Sequence, residues 1–270
     1  MRILFAGGDA RTEYAAKRLS RTHEIVKPGE IRGRLDAVVL PLPLSKDGET
    51  VFGSDLTFEA LFEEIGKFAD EHTLVLAGGE ASALSELCER RGFTLINYFA
   101  LEALTLKNAA LTAEAALCLL SQSTDGALLG SETLVAGSGR IAMFLAERLR
   151  ACQSKVTLAA RDPAKRELFK LRGFINAVPL DELPGVLPCF DFIANTIPAP
   201  IFGEEMFAKM REGAVYIELA TLPAEPLRTF AERSGIKYIF AGGLPGKCSP
   251  KAAGEAIAET VEEILATRSR

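Results

Sequence analysis

A glycine-rich turn between a predicted strand and a predicted helix constrains the fold of this chain most. The apolar run 133–136 leads into Gly-Ser-Gly-Arg-Ile-Ala at 137–142, and a helical pattern continues to Leu149. In G-x-G-x-x-G/A the first glycine permits a tight turn and the second lets a pyrophosphate approach the backbone. The small last residue lets helix and strand pack closely. The segment therefore predicts a dinucleotide-binding turn, whose helix amides point at phosphates. The predicted contacts are Gly137, Ser138, Gly139, Arg140 and Ile141.

The end of the next predicted strand, 155–160, bears on which dinucleotide is bound. An NAD site usually carries Asp or Glu there to bind the ribose 2′-hydroxyl. Here Arg161 follows the strand, with Lys165 and Arg166 close behind, and a guanidinium suits a 2′-phosphate. We therefore expect NADP in preference to NAD. Two alternatives stay open: a one-residue shift would bring Asp162 to the ribose, or the segment is only a solvated helix start.

Composition excludes several classes of protein. The 270 residues carry a net charge of −5, which argues against nucleic-acid binding as the main function. No run of 18 apolar residues is present, so no membrane span is expected. The five cysteines are scattered without a C-x-x-C pair, which predicts free thiols in the cytoplasm and no metal site. Cys88 and Cys118 lie in apolar helical patterns and are expected to fill the core.

Strand and helix patterns alternate along most of the chain. This predicts an α/β fold of two Rossmann-like parallel-sheet domains joined by bridging helices between residues 98 and 122. The first domain, 1–105, would bind the substrate or partner, and the second, 125–250, would bind NAD(P). By analogy with other two-domain dehydrogenases, the last helix, about 251–270, is expected to pack back on the first domain. The predicted strands are 3–6, 24–26, 37–40, 73–77, 93–96, 133–136, 155–160, 175–178, 191–195, 214–219 and 236–240.

Four segments, in the same order along the chain, resemble the family of dipicolinate synthase A subunits. They are Ala6–Arg11, close to the family's G-G-D-A-R; Asn108–Glu114, close to N-S-I-P-T-A-E; Asn195–Pro198; and Gly243–Gly254, close to G-L-P-G-K-x-A-P-K-T-A-G. The chain departs from the family at Ala109–Leu111, at Ala115, at residues 221–224 and at Cys248–Ser249. The first departures fall on the bridge between the predicted domains, near the expected cleft. The resemblance therefore predicts the fold more firmly than the substrate or the catalytic activity.

The resemblance implies an activity and a partner. It implies an NADP-dependent oxidoreductase that oxidises dihydrodipicolinate, or its hydroxylated tetrahydro precursor after water loss, to dipicolinate during sporulation. It also implies a small dicarboxylate substrate and a hetero-oligomer with the flavoprotein-like B subunit of dipicolinate synthase. Two alternatives remain: a non-catalytic NADP-binding scaffold, and another small-acid dehydrogenase of the same two-domain form.

Candidate substrate contacts follow the first strand and lie on the bridge. Asp9 and Arg11 follow the strand's carboxyl end, where open α/β sheets bind ligands, and Arg11 could pair with a carboxylate. The alternative is that Asp9 merely caps the next helix. Asn108 and Thr112, four residues apart, share a helical face, and the resemblance favours substrate contact, with Thr112 in the catalytic set. The alternative is a helix cap at either residue, with Glu114 in solvent.

The loops after the last three strands are candidates for the nicotinamide end of the site. Thr196, Ile197 and Pro198 follow one strand, and Ala220 follows the next. Gly243, Leu244 and Pro245 form a shaped loop after the last strand, and Lys247 could pair with a carboxylate or transfer a proton. The alternative for each loop is a plain surface turn.

The two histidines help by exclusion. His23 and His72 precede predicted strands and so belong to the amino edge of a sheet, away from ligands. A 2-hydroxyacid dehydrogenase of the usual kind needs a histidine in its active site. The sequence therefore disfavours that enzyme class.

Overall fold

The computed structural model describes residues 1–174, 176–221 and 224–268. Ile175 of the predicted strand 175–178, Leu222 and Pro223 of the departure at 221–224, and the last two residues of the predicted final helix lie outside the described residues. The chain divides into two compact units, which are described separately. Unit 1 comprises Met1–Asn108 and Gly246–Arg270, and unit 2 comprises Ala109–Pro245.

Unit 1 is a parallel five-stranded sheet in the order β2-β1-β3-β4-β5. From β1 the chain adds β2 on one side and then β3, β4 and β5 on the other, so the strand order reverses between β1 and β3. Open α/β sheets bind ligands at such a point, beyond the carboxyl ends of their strands. The elements are β1 Arg2–Phe5, α1 Ala10–Leu19, β2 Glu24–Val26, β3 Ala37–Val39, α2 Phe58–Ile65, β4 Leu74–Ala77, α3 Ser82–Arg91, β5 Thr94–Asn97, a 3₁₀ turn Tyr98–Ala100, the start of α4 Glu102–Gln122, and, from the end of the chain, α11 Pro250–Arg268.

Both faces of the unit 1 sheet are covered, as a parallel sheet requires. One face packs against α2 and α3, with Phe58, Phe62 and Leu87 buried. The other face packs against α1 and α11, where Ile257 and Val261 join the core. The C-terminal helix therefore completes the core of the unit that contains the N-terminus.

Unit 2 is a parallel six-stranded sheet in the order β11-β10-β9-β6-β7-β8. This is the doubly wound order of dinucleotide-binding sheets, with its crossover point between β6 and β9. The elements are β6 Glu132–Ala136, α5 Arg140–Ala151, β7 Lys155–Ala159, α6 Pro163–Leu171, β8 Asn176–Val178, α7 Leu183–Val186 between 3₁₀ turns Leu180–Glu182 and Leu187–Cys189, β9 Phe192–Asn195, α8 Glu204–Phe207, β10 Val215–Glu218, α9 Ala224–Arg233, β11 Lys237–Phe240 and α10 Leu244–Cys248.

The predicted fold class is confirmed, since both sheets are parallel and alternate with helices. The predicted bridge is one 3₁₀ turn and the single long helix α4. By length and composition alone α4 is apolar enough to cross a membrane; 39% of its apolar window is buried, and Leu104, Ala113, Ala116 and Leu120 of this helix join the protein cores. One prediction is wrong: Cys88 is buried, but Cys118 is exposed because it lies on the solvent side of α4.

Candidate dinucleotide and carboxylate sites

The first glycine of the turn is required by the packing of unit 2. Gly137 has φ of +120°, which side-chain-bearing residues rarely adopt. A Cβ at this position would lie 2.0 Å from Oγ1 of Thr196, which follows β9. The Thr196 hydroxyl in turn donates to the Ala136 carbonyl at 2.8 Å. The turn after β6 and the loop after β9 are therefore in direct contact at the crossover point of the sheet.

The second glycine is not required by packing. Gly139 is the N-cap of α5, with φ of −82° and ψ of −173°, a conformation open to any residue. A Cβ there would have no neighbour within 4 Å, and the residue is exposed. The first-turn amides of a helix have no acceptor within the helix, and glycine has no side chain to cap them. Open space therefore lies in front of a helix N-terminus, while Ala142 on the inner face is buried against the sheet.

The loop after β7 presents arginine rather than a carboxylate at the strand end. Ala160 is buried and Arg161 is exposed. Asp162 caps α6, its Oδ1 accepting from the Ala164 amide at 2.8 Å, so its carboxylate serves the helix. Arg166 donates through Nη1 to the carbonyls of Ala160 and Arg161, at 2.6 and 2.8 Å. Arg166 therefore braces the backbone that carries Arg161.

A buried polar cluster lies under the loops after β9 and β10. Glu218, the last residue of β10, is 0% exposed and accepts from the Asn195 side-chain amide at 3.0 Å, the Tyr216 hydroxyl at 2.8 Å and the Ala220 amide at 2.9 Å. Asn195 Oδ1 accepts from the Ile197 amide at 3.0 Å. One cluster thus links the predicted cofactor loops of Thr196, Ile197 and Pro198, and of Ala220.

The charge on Glu218 is unfavourable in this setting. Burial raises the pKa of its carboxyl, although the bonds from Asn195, Tyr216 and Ala220 oppose that shift. Burial and the neighbouring carboxylate likewise raise the pKa of the Tyr216 hydroxyl. Sequence reasoning missed this cluster. The available signal was a polar residue ending each of two otherwise apolar strands, Asn195 and Glu218.

Unit 1 holds an ion pair after β1 in which Arg11 is buried and Asp9 is half-buried. Asp9 is the N-cap of α1, accepting from the Arg11 amide at 3.0 Å, so the capping alternative is confirmed. Its carboxylate also accepts from Arg11 Nε at 2.9 Å and Nη2 at 2.7 Å. Burial alone would raise the pKa of Asp9, but the bonds from Arg11 outweigh it and hold that pKa low. The Arg11 side chain is only 7% exposed, and Asp9 accepts from its Nε and Nη2 atoms.

The last sequence segment meets this pair within unit 1. A Cβ on Gly246 would lie 2.9 Å from both Arg11 Nε and Asp9 Oδ2. Gly254 on α11 is equally tight, since its Cβ would lie 2.4 Å from the Arg11 carbonyl. Two segments more than 230 residues apart are thus packed together because each glycine lacks a side chain. Lys247, next to Gly246, is exposed.

The remaining predicted residues have varied surroundings. Gly243 is exposed with φ of +69°, whereas Leu244 and Pro245 are buried. Asn108 is half-buried, Thr112 is buried and Glu114 is exposed, all within α4. The alternative that Asn108 or Thr112 caps a helix is wrong, because both lie inside α4. His23 and His72 precede β2 and β4, at the amino edge as predicted.

A cavity of about 430 Å³ lies at the opposite edge of the unit 2 sheet. Its lining includes Ser131, Asp191 and Ala214, which precede β6, β9 and β10. Ligands of open α/β sheets bind at the carboxyl ends of the strands, so the cavity is not the candidate site. Among the described residues no group of three or more His, Cys, Asp or Glu side chains is placed to hold a metal ion.

Known proteins resemble this chain in sequence and in fold. No protein-family model matches the chain. It is 27% identical over 235 residues to the A subunit of dipicolinate synthase from Bacillus subtilis strain 168, covering 86% of this chain and 78% of that protein. The crystal structure of the A subunit from Bacillus halodurans has a TM-score of 0.87 at 26% identity, covering 98% of this chain and 97% of that one. The crystal structure of the B. subtilis protein has a TM-score of 0.85 at 25% identity, covering 99% and 96%.

This chain is similar to the A subunit of dipicolinate synthase. The likeness spans nearly the whole chain in sequence and in fold, and it confirms the predicted resemblance. D-lactate dehydrogenase with NAD⁺ from Lactobacillus jensenii shares the fold alone, with a TM-score of 0.65 at 13% identity.

Proposed function

We propose that this chain is the NADP-dependent A subunit of a dipicolinate synthase, and that it oxidises dihydrodipicolinate to dipicolinate. The observation that carries the proposal is the glycine turn of unit 2. An open N-terminus of α5 at the crossover point of a doubly wound sheet is the usual seat of a dinucleotide. The similarity to dipicolinate synthase supports, as the substrate, a precursor of the pyridine ring that carries two carboxylates.

The residues of unit 2 fit a dinucleotide. The space that a Cβ would fill at Gly139 is open, so the backbone can be approached there. The amides at the start of α5, from Ser138 to Ile141, would hold the diphosphate. When bound, the nicotinamide would accept a hydride from the substrate ring. The loops at 196–198 and at Ala220, with Gly243–Pro245, would hold the nicotinamide end.

Selection of NADP over NAD would rest on Arg161. Its guanidinium is exposed at the end of β7, the position from which the ribose is read. The Asp162 carboxylate, which is next to Arg161 in the sequence, caps α6 and is therefore not placed to bind a 2′-hydroxyl. Arg166, which holds the carbonyls of Ala160 and Arg161, would keep the loop in place.

Unit 1 would anchor the substrate carboxylates. Arg11 would pair with one carboxylate through a guanidinium that Asp9 has already oriented, so less rotamer entropy is lost on binding. Asp9 would therefore act through Arg11, because a second carboxylate in direct contact would repel the substrate. Lys247 would pair with the other carboxylate, and Asn108, also in unit 1, would position the ring through a hydrogen bond.

The overall reaction removes one hydride and one proton from the dihydropyridine ring. Aromatisation of the ring drives the reaction. The residues of the site must align the substrate ring with the nicotinamide for hydride transfer. In the same proposal the chain works in the cytoplasm of a sporulating cell, within a hetero-oligomer that contains the flavoprotein-like B subunit.

The test is turnover of dihydrodipicolinate with NADP⁺, followed by the absorbance of NADPH, with and without the flavoprotein-like partner. Arg11→Gln should raise the KM for dihydrodipicolinate by roughly 10- to 150-fold, the value of one or two hydrogen bonds to a charge. Lys17→Gln, on the exposed side of the same helix, is the matched control and should leave KM unchanged. Absence of NADPH formation in both mixtures would instead indicate a non-catalytic, NADP-binding scaffold.

A further inference from the structure

The buried carboxylate of Glu218 is energetically unfavourable in a parallel sheet. It is 0% exposed and lies between Asn195 on β9 and Phe240 on β11 in the strand register. Burying a carboxylate is unfavourable unless several donors compensate it. In the same row of the sheet β6 and β7 end in Ala136 and Ala159, so an apolar side chain satisfies packing there. The sheet itself therefore does not require a carboxylate at this position.

The donors around Glu218 come from the two loops that leave β9 and β10. Ala220, in the second loop, donates its backbone amide to Oε1. Asn195 donates its side-chain amide to both oxygens and to the Ile197 carbonyl, while its own Oδ1 accepts from the Ile197 amide. Through Asn195, the carboxylate fixes both backbone polar groups of Ile197. The hydroxyl of Tyr216 completes the set at Oε2.

We infer that Glu218 is a positioning residue that holds the loops 195–198 and 219–221 in the conformation that receives the nicotinamide end of the dinucleotide. The inference rests on the proposed function. Every neighbour that bonds Glu218 is a donor, so only a group with two acceptor oxygens satisfies all of them. The amides of Ile197 and Ala220 are used internally, so these bonds fix the loop backbone and do not bind the ligand directly.

The experiment compares two ligands that share the adenosine, diphosphate and 2′-phosphate but differ in the nicotinamide. Full-length wild type, Glu218→Gln and the control Glu232→Gln, which changes an exposed residue of α9, are titrated with NADP⁺ and with 2′-phospho-ADP-ribose. In Glu218→Gln one amide nitrogen must face a donor. NADP⁺ should therefore bind about tenfold more weakly, the value of one hydrogen bond to a charged group. The affinity for 2′-phospho-ADP-ribose should stay within about twofold of wild type.

Tyr216→Phe is the second variant, because it keeps the ring and removes only one donor to Glu218. It should show a smaller loss in the same direction, restricted to NADP⁺, even if Glu218→Gln fails to fold. Equal losses for both ligands, or no loss for either in both variants, would overturn the positioning role while leaving the proposed function intact. If wild type binds neither ligand, the proposed function is overturned together with this inference.

Discussion

Replacing Gly139 by alanine separates ligand binding from folding. The residue is exposed, its φ of −82° is allowed for alanine, and its new Cβ would meet nothing within 4 Å. Alanine is a poorer N-cap than glycine by roughly 0.5 kcal/mol. It also restricts the unfolded chain, which stabilises the fold by about 0.4–1 kcal/mol. The two effects nearly cancel, so the midpoint of thermal unfolding should move by less than about 2 °C.

The effect on dinucleotide binding should be much larger. If the diphosphate approaches the backbone at Gly139, the added methyl group occupies its place. Relieving such an overlap costs about 1–3 kcal/mol, which corresponds to roughly 5- to 150-fold weaker binding of NADP⁺. Titration calorimetry of NADP⁺ against wild type and Gly139→Ala measures this directly.

Gly137→Ala is the matched control, because it changes the other glycine of the same turn. Its Cβ would lie 2.0 Å from Thr196 Oγ1 at a φ of +120°, so it should lower the unfolding midpoint by several degrees. Wild-type affinity of Gly139→Ala for NADP⁺ would refute the reasoning, since the open space at Gly139 would then have no role in binding.

Three further predictions concern other parts of the chain. Arg161→Ala should weaken NADP⁺ by roughly 10- to 150-fold and NAD⁺ by less than about twofold in the same titration; equal losses would show that Arg161 does not read the 2′-phosphate. Gly246→Ala should lower the free energy of unfolding by about 1–3 kcal/mol in urea, because its Cβ would lie 2.9 Å from Asp9 Oδ2; an unchanged midpoint would contradict that packing. The third concerns pH: since burial raises the pKa of Glu218, the folded state holds its proton to higher pH than the unfolded state does. The free energy of unfolding of wild type, relative to that of Glu218→Gln, should therefore fall as pH rises from below 4.5 through the folded pKa of Glu218. Tyr216 and Tyr238 face this site in both proteins. A difference in unfolding free energy that rises with pH would contradict the raised pKa.

The sheets could be predicted from the sequence largely because their inner strands are buried on both faces. Strands such as 74–77 and 132–136 are short, largely apolar runs with glycine beyond their carboxyl ends, and their length and the flanking glycine distinguish them from buried helix segments. The glycine turn was predictable because the backbone itself requires Gly137. At most strand ends the observed bound differs from the predicted one by a single residue. Hydrogen bonding, and not apolarity, sets the observed bound.

The polar interactions were harder to predict, because they depend on residues far apart in sequence or on a choice between partners. Periodicity could not show that Gly246 packs on the Asp9–Arg11 pair. It could not show that Asp162 caps a helix while Arg161 remains exposed. Cys118 was misplaced because α4 is apolar on more than one face, so its pattern does not distinguish the buried side from the solvent side.

The most direct measurement is a crystal structure of the wild-type chain with NADP⁺ bound. The account predicts the diphosphate within about 3 Å of the amide nitrogens that open α5, above Gly139, with the 2′-phosphate beside Arg161. A dinucleotide bound elsewhere on the protein, with the N-terminus of α5 in contact only with solvent, would contradict it.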